Sequence, residues 1–340
     1  MTGTARGAAA LRAHVETWRP YTLWYVGLVG LAGAGQAGGH RLWPLVAAWA
    51  TPTAGWLGGH YLGDYADRRL DAMAKPYRPI PSGRLAPRHA LACAYACFAA
   101  VAVLAVAGGV GTSAVAVLAV AGIVGYSRWF KASGVAGNLV RGALGAAALM
   151  YGVVAARPGA LDRAAVATIA ALVAAFCLHD TMTNLVGALR DIDGDRAGGY
   201  ATLPVRRDAP AAVWTVLGLA AGTVATAVAA GVLHGPRGRW WYLATLAVAL
   251  VLGVAALRPV VTARRTMPAA VALRAHGLLV IERLLLASAA VGLGLGPAWQ
   301  YGLAVPMIAL TWWTQSLMRA HHELGPPARP HLVESPQRTP

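Results

Sequence analysis

Apolar segments of about 20 residues recur along almost the whole chain. This is the length that an α-helix needs to cross the hydrocarbon core of a bilayer. Only 12% of the 340 residues are Asp, Glu, Lys or Arg, whereas a soluble domain carries roughly a quarter of such residues. The sequence therefore predicts an all-α polytopic membrane protein, a helical bundle embedded in the lipid bilayer, rather than two soluble domains.

Ten membrane spans are predicted, at residues 20–38, 44–66, 87–108, 112–127, 136–156, 163–187, 210–233, 240–259, 268–294 and 299–318. The ninth span contains Arg274, Glu282 and Arg283, so an arrangement of nine spans stays open. The predicted membrane domain covers residues 20–318. An amphipathic segment at residues 1–19 precedes it, and the proline-rich residues 326–340 are predicted to be disordered.

The net charge of +16 is best explained by membrane topology. If the N-terminus is cytoplasmic, the outside loops hold only five basic residues, namely Arg41, Arg157, Arg163, Arg237 and Arg239. Two more lie within spans, which leaves 22 of the 29 lysines and arginines on the inner side. Basic clusters with interleaved aromatic residues are absent, so nucleic acid is not a predicted partner. The strong preference for arginine over lysine indicates a GC-rich bacterial genome, and hence a bacterial plasma membrane.

Six of the 13 acidic residues lie in two short windows at the inner ends of predicted spans. The windows are Asp64/Asp67/Asp71 and Asp191/Asp193/Asp195. In each window two carboxylates are four residues apart, so a helix places both on one face, where like charges repel unless a cation neutralises them. Oxygen-rich pairs of this kind suit Mg²⁺, which takes one or two carboxylates and completes its coordination with water and phosphate oxygens. Two facing pairs predict a metal–diphosphate site; alternatively, these charges are solvated and merely orient the helices.

A proline-rich segment follows the first window and brings two cations to the same mouth. It reads Lys-Pro-Tyr-Arg-Pro-Ile-Pro-Ser-Gly over residues 75–83. Lys75 offers phosphate oxygens a compact charge, and Arg78 offers them a two-pronged fork. The only other lysine, Lys131, ends the fourth predicted span on the same side.

Asp180 and Asn184 are expected on the helix face that also carries Asp191, because residues 180, 184, 187 and 191 follow helical spacing. The helical rise puts Asp180 about 16 Å deeper in the bilayer than Asp191. An ionisable residue at that depth is a functional candidate, and Asp180 could position or deprotonate an acceptor. The alternative is a buried polar contact with Arg141. Glu282 is expected to contact Arg274 or another helix.

These motifs resemble those of the UbiA superfamily of intramembrane prenyltransferases. The first family motif, Asn-Asp-x-x-Asp-x-x-x-Asp followed by Arg-Pro-Ile-Pro-Ser-Gly, corresponds to residues 63–71 and 78–83. The second, Asp-x-x-x-Asp-Arg-x-x-Gly followed by Thr-Leu-Pro, corresponds to residues 191–199 and 202–204. A third, weaker match to the family begins at Tyr126.

That third match comprises Tyr126, Lys131 and Gly137-Asn138. One departure concerns the first motif, in which Gly63 stands where the family has its leading Asn. The family amide usually helps to bind metal or diphosphate, so the resemblance implies that Asp64 or His60 compensates or that the ionisation geometry differs.

The resemblance implies a ring of mostly nine helices around a central cavity, and Mg²⁺-dependent transfer of a prenyl group from an isoprenoid diphosphate to an acceptor. The implied metal ligands are Asp67, Asp71, Asp191 and Asp195. The residues implied to neutralise charge on the leaving group are Lys75, Arg78 and Lys131. Arg68 and Arg190 are lesser candidates for the same role, and Arg68, Arg190, Asn184 and Asp64 are together the candidates for binding the cofactor. Tyr126 could stabilise an allylic cation through its ring face, or else anchor its helix at the membrane interface.

Two other functions stay open at this stage. A UbiA-type terpene cyclase would use the same ionisation site without an acceptor, because the cation would close on its own chain. A lipid or anion transporter would also place polar residues near the midplane of the membrane. The acceptor is left open among an aromatic acid, a quinone precursor, a glycerol phosphate and a specialised metabolite.

Overall fold

The structure is a computed structural model that describes residues 3–156 and 159–325 and, from residue 7 onwards, their side chains. The described residues form helices joined by short loops, with no strand among them. The tail at 326–340, predicted to be disordered, lies outside the described residues.

The described chain contains thirteen α-helices. In chain order they are α1 (Gly3–Trp18), α2 (Pro20–Gln36), α3 (Leu42–Ala74), α4 (Pro87–Gly108), α5 (Val110–Gly125), α6 (Val135–Ala155), α7 (Arg163–Arg190), α8 (Ile192–Ala197), α9 (Leu203–Arg206), α10 (Ala209–Leu233), α11 (Arg239–Thr262), α12 (Ala269–Leu295) and α13 (Pro297–Leu324). A π-helical turn, Tyr126–Phe130, continues α5. All ten predicted spans coincide with a long helix.

Seven of these helices are long and apolar enough to cross a membrane, namely α4, α5 with its π-helical turn, α6, α7, α10, α11 and α12. The three other predicted spans correspond to α2, which has only 17 residues, and to the more polar α3 and α13. The all-α, multi-pass fold is thereby confirmed, and the number of nine or ten crossings stays a prediction.

Proline, glycine and aspartate mark the ends of the helices and keep the loops short. Pro20 begins α2 at a position where the missing N–H costs no hydrogen bond. Gly109 (φ 106°) and Gly296 (φ 94°) turn the chain between α4 and α5 and between α12 and α13, in a conformation that favours glycine. Asp162 caps α7 by accepting a 2.7 Å hydrogen bond from the N–H of Ala165. Consecutive helices therefore lie side by side.

The helices α2 and α12 form the buried centre of the bundle. Helix α2 packs against α3, α6 and α12, while α12 also packs against α7, α11 and α13. Their apolar faces belong to one large core cluster. The helices α2, α3, α6, α7, α12 and α13 surround a cavity that opens at the end of the bundle where both aspartate windows lie.

Helices α2 and α6 approach each other closely through glycine. A Cβ atom at Gly33 would collide with the carbonyl oxygen of Leu149, and one at Gly152 would collide with the carbonyl oxygen of Gly30. Small residues allow this backbone-to-backbone packing between membrane helices. On α6 the contact lies beyond Leu144, the last residue of that helix to line the cavity.

Candidate active site

Three aspartates of α3 line one side of the cavity, whose volume is about 620 Å³. Asp64, Asp67 and Asp71 are only 5–7% exposed, and all three border the cavity. Helix α3 continues through this window to Ala74 because cations from other parts of the chain compensate the carboxylates. The structure thus places Asp67 and Asp71 on one face, as their spacing predicts.

The second window differs from a continuous helix. Helix α7 ends at Arg190, and the chain bends at Asp191 before α8 begins. The N–H of Asp195 still donates to the carbonyl oxygen of Asp191 at 2.8 Å, so both carboxylates remain on the cavity. Burial and the charge of Asp191 raise the pKa of Asp195 to about 6, even though the Thr202 hydroxyl donates to it at 3.1 Å.

One carboxylate that was not among the predicted site residues contacts three cations at the mouth of the cavity. Glu323, near the end of α13, lies 3.2 Å from Lys75, 3.0 Å from Arg78 and 3.2 Å from Arg190. Its side chain is 8% exposed. The last helix therefore closes over the cations that follow the first window and precede the second.

The same cations also hold one aspartate of each window. Arg78 donates to both carboxylate oxygens of Asp71 at 3.1 Å, and Lys75 donates to Asp191 at 2.9 Å. Arg190 contacts Asp191 at 2.5 Å. Burial disfavours the charged form of Asp191, but the charges of Arg190 and Lys75 outweigh burial and hold its pKa below the usual range. We call this group of six residues the mouth cluster: Asp71, Lys75, Arg78, Arg190, Asp191 and Glu323.

Lys131 approaches the first window from the opposite wall of the cavity. The π-helical turn positions it, and the N–H of Lys131 donates to the Tyr126 carbonyl oxygen at 3.0 Å; such turns are frequent at functional sites. The ammonium group pairs with Asp67, which also accepts a 3.2 Å hydrogen bond from the Tyr200 hydroxyl. Burial opposes the charge of Lys131, but Asp67 outweighs burial and raises the pKa above its ordinary value.

Tyr126 borders the cavity, where the Nδ2 atom of Asn184 donates to its hydroxyl at 3.3 Å. The guanidinium of Arg141 lies 5.6 Å from the Tyr126 ring and 4.2 Å from the Trp56 ring. A cation thus already lies near the aromatic ring of Tyr126. Tyr126 therefore lies on the cavity, and its role there stays a prediction.

Asp180 lies deep in the cavity, where it is 5% exposed. Neither of its carboxylate oxygens has a hydrogen-bond partner in the part of the chain that the structure describes. Gly145 of α6 makes room for the carboxylate, since a Cβ atom there would collide with it. The alternative contact with Arg141 does not occur among the described residues, because Arg141 stacks on Trp56.

Two further ionisable groups meet at the same depth. Glu282 of α12 lies 2.5 Å from the Nε2 atom of His179 on α7, which agrees with the expected contact to another helix and not with a contact to Arg274. The neighbouring Arg283 faces the cavity, and its guanidinium lies 4.5 Å from the ring of Tyr25.

Two secondary candidates differ from expectation. The guanidinium of Arg68 lies 4.3 Å from the ring of Tyr65 and does not border the cavity, because one residue along a helix turns the side chain by about 100° from Asp67. Its position does not support a role in binding diphosphate. Asp64 does border the cavity, but it pairs with Arg19 at 2.5 Å.

Gly63 faces open space. A Cβ atom at this position would meet no heavy atom within 4 Å, so the cavity has room for the family's asparagine. His60, one possible substitute, uses its Nδ1 atom to contact the carbonyl oxygen of Trp18 at 2.9 Å. His60 thus has a partner for Nδ1, whereas Asp64 uses only one carboxylate oxygen for Arg19 and keeps the other without a hydrogen-bond partner among the described residues.

Three residues of the site escaped the sequence analysis, namely Arg19, Tyr200 and Glu323. Glu323 carried a usable signal, because it is an acidic residue at the inner end of a predicted span, as are the two windows. Arg19 and Tyr200 carried no comparable signal, since neither belongs to a local spacing pattern. Their roles depend on partners far away along the chain.

The donor set suits a hard divalent cation. Within the described ranges, no three His, Cys, Asp or Glu side chains are grouped as a ready-made metal site. Mg²⁺ commonly uses only one or two carboxylates together with water and phosphate oxygens. Asp67, Asp71, Asp191 and Asp195 offer two carboxylates on each side of the cavity. In addition, one carboxylate oxygen of Asp64 is buried without a hydrogen-bond partner.

The fold and the cavity define the class of protein as a multi-pass membrane enzyme whose acidic and basic side chains meet at one mouth of a helical bundle. Residues 23–278 match the UbiA prenyltransferase family. The chain belongs to this family and is a UbiA-type prenyltransferase.

Curated relatives point to one activity. The chain is 32% identical over 223 residues to the digeranylgeranylglyceryl phosphate synthase of Ignicoccus hospitalis, covering 66% of this chain and 73% of the relative. It is 34% identical over 253 residues to the enzyme of the same name from Halobacterium salinarum, covering 72% and 86%. Both relatives are archaeal and do not support the bacterial source indicated by the arginine content.

Solved structures share the fold. A UbiA homologue from Aeropyrum pernix K1 superimposes with a TM-score of 0.66 at 18% identity, covering 79% of this chain and 96% of the homologue. A UbiA homologue from Archaeoglobus fulgidus, bound to GPP and Mg²⁺, superimposes with a TM-score of 0.59 at 14% identity, covering 89% and 99%. At these identities the likeness establishes the architecture.

Proposed function

We propose that the protein is a Mg²⁺-dependent prenyltransferase that moves an isoprenoid group from its diphosphate to a hydroxyl group of an acceptor. The observation that carries this proposal is the mouth cluster, in which the carboxylates that suit Mg²⁺ are paired with the cations that suit a diphosphate. Each set of side chains neutralises the other in the structure. A magnesium diphosphate would replace both sets of partners at once, because the metal binds the carboxylates and the diphosphate binds the cations.

The metal would be held by Asp67 and Asp71 on one side and by Asp191 and Asp195 on the other. When bound, Mg²⁺ neutralises diphosphate oxygens and so makes the diphosphate a better leaving group. Lys131, now paired with Asp67, would be free to turn towards phosphate oxygens. The exchange keeps every buried charge compensated, as a low-dielectric site requires.

Lys75, Arg78 and Lys131 would stabilise the departing diphosphate. The bond between the allylic carbon and the diphosphate oxygen breaks, and its electron pair leaves with the diphosphate. Preorganised cations aimed at developing negative charge usually provide the largest catalytic term. Arg190, which contacts Asp191 at 2.5 Å, would hold the second window in place and add a fourth positive charge.

The allylic carbon would then react with an acceptor hydroxyl above the ring of Tyr126. A new carbon–oxygen bond forms, and the hydroxyl proton must leave. Asp180 is the carboxylate in the cavity that makes no hydrogen bond with the described residues, so it is available to accept that proton. Asn184, which donates to the Tyr126 hydroxyl, would orient the ring.

A glycerol phosphate lipid is the favoured acceptor class, because the archaeal relatives are named digeranylgeranylglyceryl phosphate synthases. An aromatic acid or a quinone precursor would need the same ionisation chemistry and differs only in the group that captures the cation. The acceptor is therefore the part of this proposal that rests on relatives rather than on the mouth cluster.

We place the mouth on the cytoplasmic face of a cell membrane, because most of the basic residues lie at that end. Helix α1 would lie along the membrane surface beside it. The Trp18 indole N–H of that helix donates to the Tyr61 hydroxyl at 2.5 Å, which ties the helix to α3. Residues 20–318 would then form the membrane domain proper.

The test is a product assay with the full-length protein in lipid nanodiscs. Geranylgeranyl diphosphate and Mg²⁺ are supplied with or without geranylgeranylglyceryl phosphate, and products and diphosphate release are measured. We expect a doubly prenylated lipid only with the acceptor. A hydrocarbon or alcohol made without acceptor would identify a cyclase and overturn the proposal.

Aspartate variants separate the enzyme from a transporter. Asp67→Asn and Asp191→Asn should abolish diphosphate release, whereas Asp193→Asn is the matched control, because that side chain is fully exposed in the same window. Transport of lipid or anion that persists in the first two variants, without any diphosphate release in the wild type, would refute the enzymatic assignment.

A further inference from the structure

Among the described residues, two arginines in the deep part of the cavity have no carboxylate partner. Arg141 of α6 and Arg283 of α12 both border the cavity. Within the described ranges neither makes a hydrogen bond or an ion pair, and Arg283 is only 4% exposed, with a buried, unpartnered Nε atom. A buried charge without a hydrogen-bonded partner is costly at membrane depth, so this arrangement calls for a ligand.

Both arginines lie around one indole ring. The guanidinium of Arg141 is 4.2 Å from the ring centre of Trp56, and that of Arg283 is 5.6 Å from it. The guanidinium of Arg283 also lies 4.5 Å from the ring centre of Tyr25. Aromatic faces fix the orientation of a guanidinium and compensate part of its charge, but they leave its N–H donors available to an acceptor of hydrogen bonds.

The nearby carboxylates pair with neither arginine. Glu282 contacts His179 at 2.5 Å, and Asp180 lies 3.9 Å from the same histidine. Among the described residues, Arg141 and Arg283 therefore have no carboxylate counterpart in this part of the cavity. The cations of the mouth cluster differ, because each of them already contacts at least one carboxylate.

We infer that Arg141 and Arg283, arranged around Trp56, form a second oxyanion subsite that binds the phosphate or carboxylate group of the acceptor. This inference rests on the proposed transferase function and deepens it, since it names the chemistry by which the acceptor is recognised. Two guanidinium groups can each present parallel N–H donors to such a group. The acceptor hydroxyl would then lie between this subsite and the mouth cluster.

The other substrate has a separate place, because an isoprenoid tail is apolar. A pocket of about 60 Å³ adjoins the cavity between α3, α4, α5 and α6, and Trp56, Ile123 and Leu144 line both spaces. Its walls are mostly apolar and include Val101 and Val120. Part of the tail would gain by burial there. In the deep cavity the tail would instead leave the two arginines without a counter-charge.

The test compares kinetics for both substrates in the full-length enzyme in nanodiscs. Arg141→Gln and Arg283→Gln should raise the KM for geranylgeranylglyceryl phosphate by about 10- to 100-fold, the effect of losing a charge-assisted hydrogen bond. The KM for geranylgeranyl diphosphate should not change. Arg283→Lys, which keeps the charge but not the fork, should give a smaller rise. Arg258→Gln is the matched control, because Arg258 is an exposed arginine of the membrane helix α11.

A second readout separates the anion from the rest of the acceptor. In the wild type, the KM for geranylgeranylglycerol, which lacks the phosphate, should exceed the KM for geranylgeranylglyceryl phosphate. The ratio should equal the factor by which the Gln variants raise the KM for the phosphate. In the Gln variants the two KM values should be similar. A parallel arm with 4-hydroxybenzoate and phenol distinguishes a carboxylate from a phosphate as the natural oxyanion. Equal KM values for charged and uncharged acceptors in the wild type would overturn the inference.

Calorimetric measurement of the binding of geranylgeranylglyceryl phosphate and of 4-hydroxybenzoate keeps this test independent of turnover. Binding by the wild type that is lost in Arg141→Gln supports the subsite even if no prenylated product forms, a result that would refute only the transferase proposal. If product forms but both Gln variants keep the wild-type affinity for the acceptor, the transferase proposal stands and the oxyanion subsite is wrong.

Discussion

Replacing Glu323 by glutamine removes one negative charge from among three cations and preserves the shape of the side chain. The carboxylate lies 3.0–3.2 Å from Lys75, Arg78 and Arg190. After the substitution Asp71 and Asp191 still compensate part of the positive charge. The mouth cluster nevertheless carries one more net positive charge, at a side chain that is only 8% exposed.

The expected cost follows from these contacts. Removing one partner from a buried ion pair typically destabilises a protein by about 3–5 kcal/mol. The amide oxygen of glutamine can still accept one hydrogen bond, so we expect the lower end, about 3 kcal/mol, for Glu323→Gln without ligand. Pyrophosphate with Mg²⁺ should recover most of this loss, because its oxygens supply the negative charge that the variant lacks.

The assay is the free energy of unfolding by SDS titration, measured with and without magnesium pyrophosphate. Pyrophosphate should stabilise the variant more than the wild type, since in the wild type it must first displace the Glu323 carboxylate. Asp193→Asn serves as a control for loss of an exposed acid. Two results would contradict this reasoning: an unchanged stability of Glu323→Gln, or equal stabilisation of both proteins by pyrophosphate. Either would show that these cations do not form a diphosphate-binding site.

Three further changes test the remaining parts of the site. Lys131→Met should lower the rate of diphosphate release by about 100-fold or more, because it removes a cation aimed at developing charge; a rate within a few-fold of wild type would exclude Lys131 from that step. Asp195 has a pKa of about 6, so the fraction of ionised Asp195 falls about tenfold between pH 7 and pH 5. The Mg²⁺ concentration for half-maximal activity should rise by about the same factor. If that concentration depends on pH equally steeply in Asp195→Asn, another group causes the effect. Gly63→Asn should leave the unfolding midpoint unchanged, because a side chain there meets open space, and should lower the Mg²⁺ requirement; a higher requirement would mean that the family amide has no place in this site.

Much of the fold could be predicted because membrane helices are encoded locally. A run of apolar residues defines a span without reference to the rest of the chain, since every backbone hydrogen bond is made within the helix. The span predicted at 210–233 is accordingly found as α10 at Ala209–Leu233. The turn that continues α5 as a π-helix was not predictable in this way, because a single wide turn leaves no trace in hydropathy.

The site could be predicted only where its chemistry repeats at a short spacing. Asp67, Asp71, Asp191 and Asp195 have that spacing, and all four border the cavity. Glu323 meets Lys75 across 248 positions of sequence, a relation that only the tertiary fold creates. The place of Arg68 outside the cavity lining was equally hidden, because the resemblance names the motif and not the direction of each side chain within it.

The glycine contact between α2 and α6 has a consequence for the membrane itself. If the cavity opens at one surface of the bilayer, as we propose, only part of the membrane thickness would separate its charged lining from the opposite side. Gly30, Gly33 and Gly152 bring two backbones together beyond the last polar residues of the cavity. That contact leaves no gap for a file of water between α2 and α6, so in a membrane these two helices would also hinder the leakage of protons and ions through the enzyme.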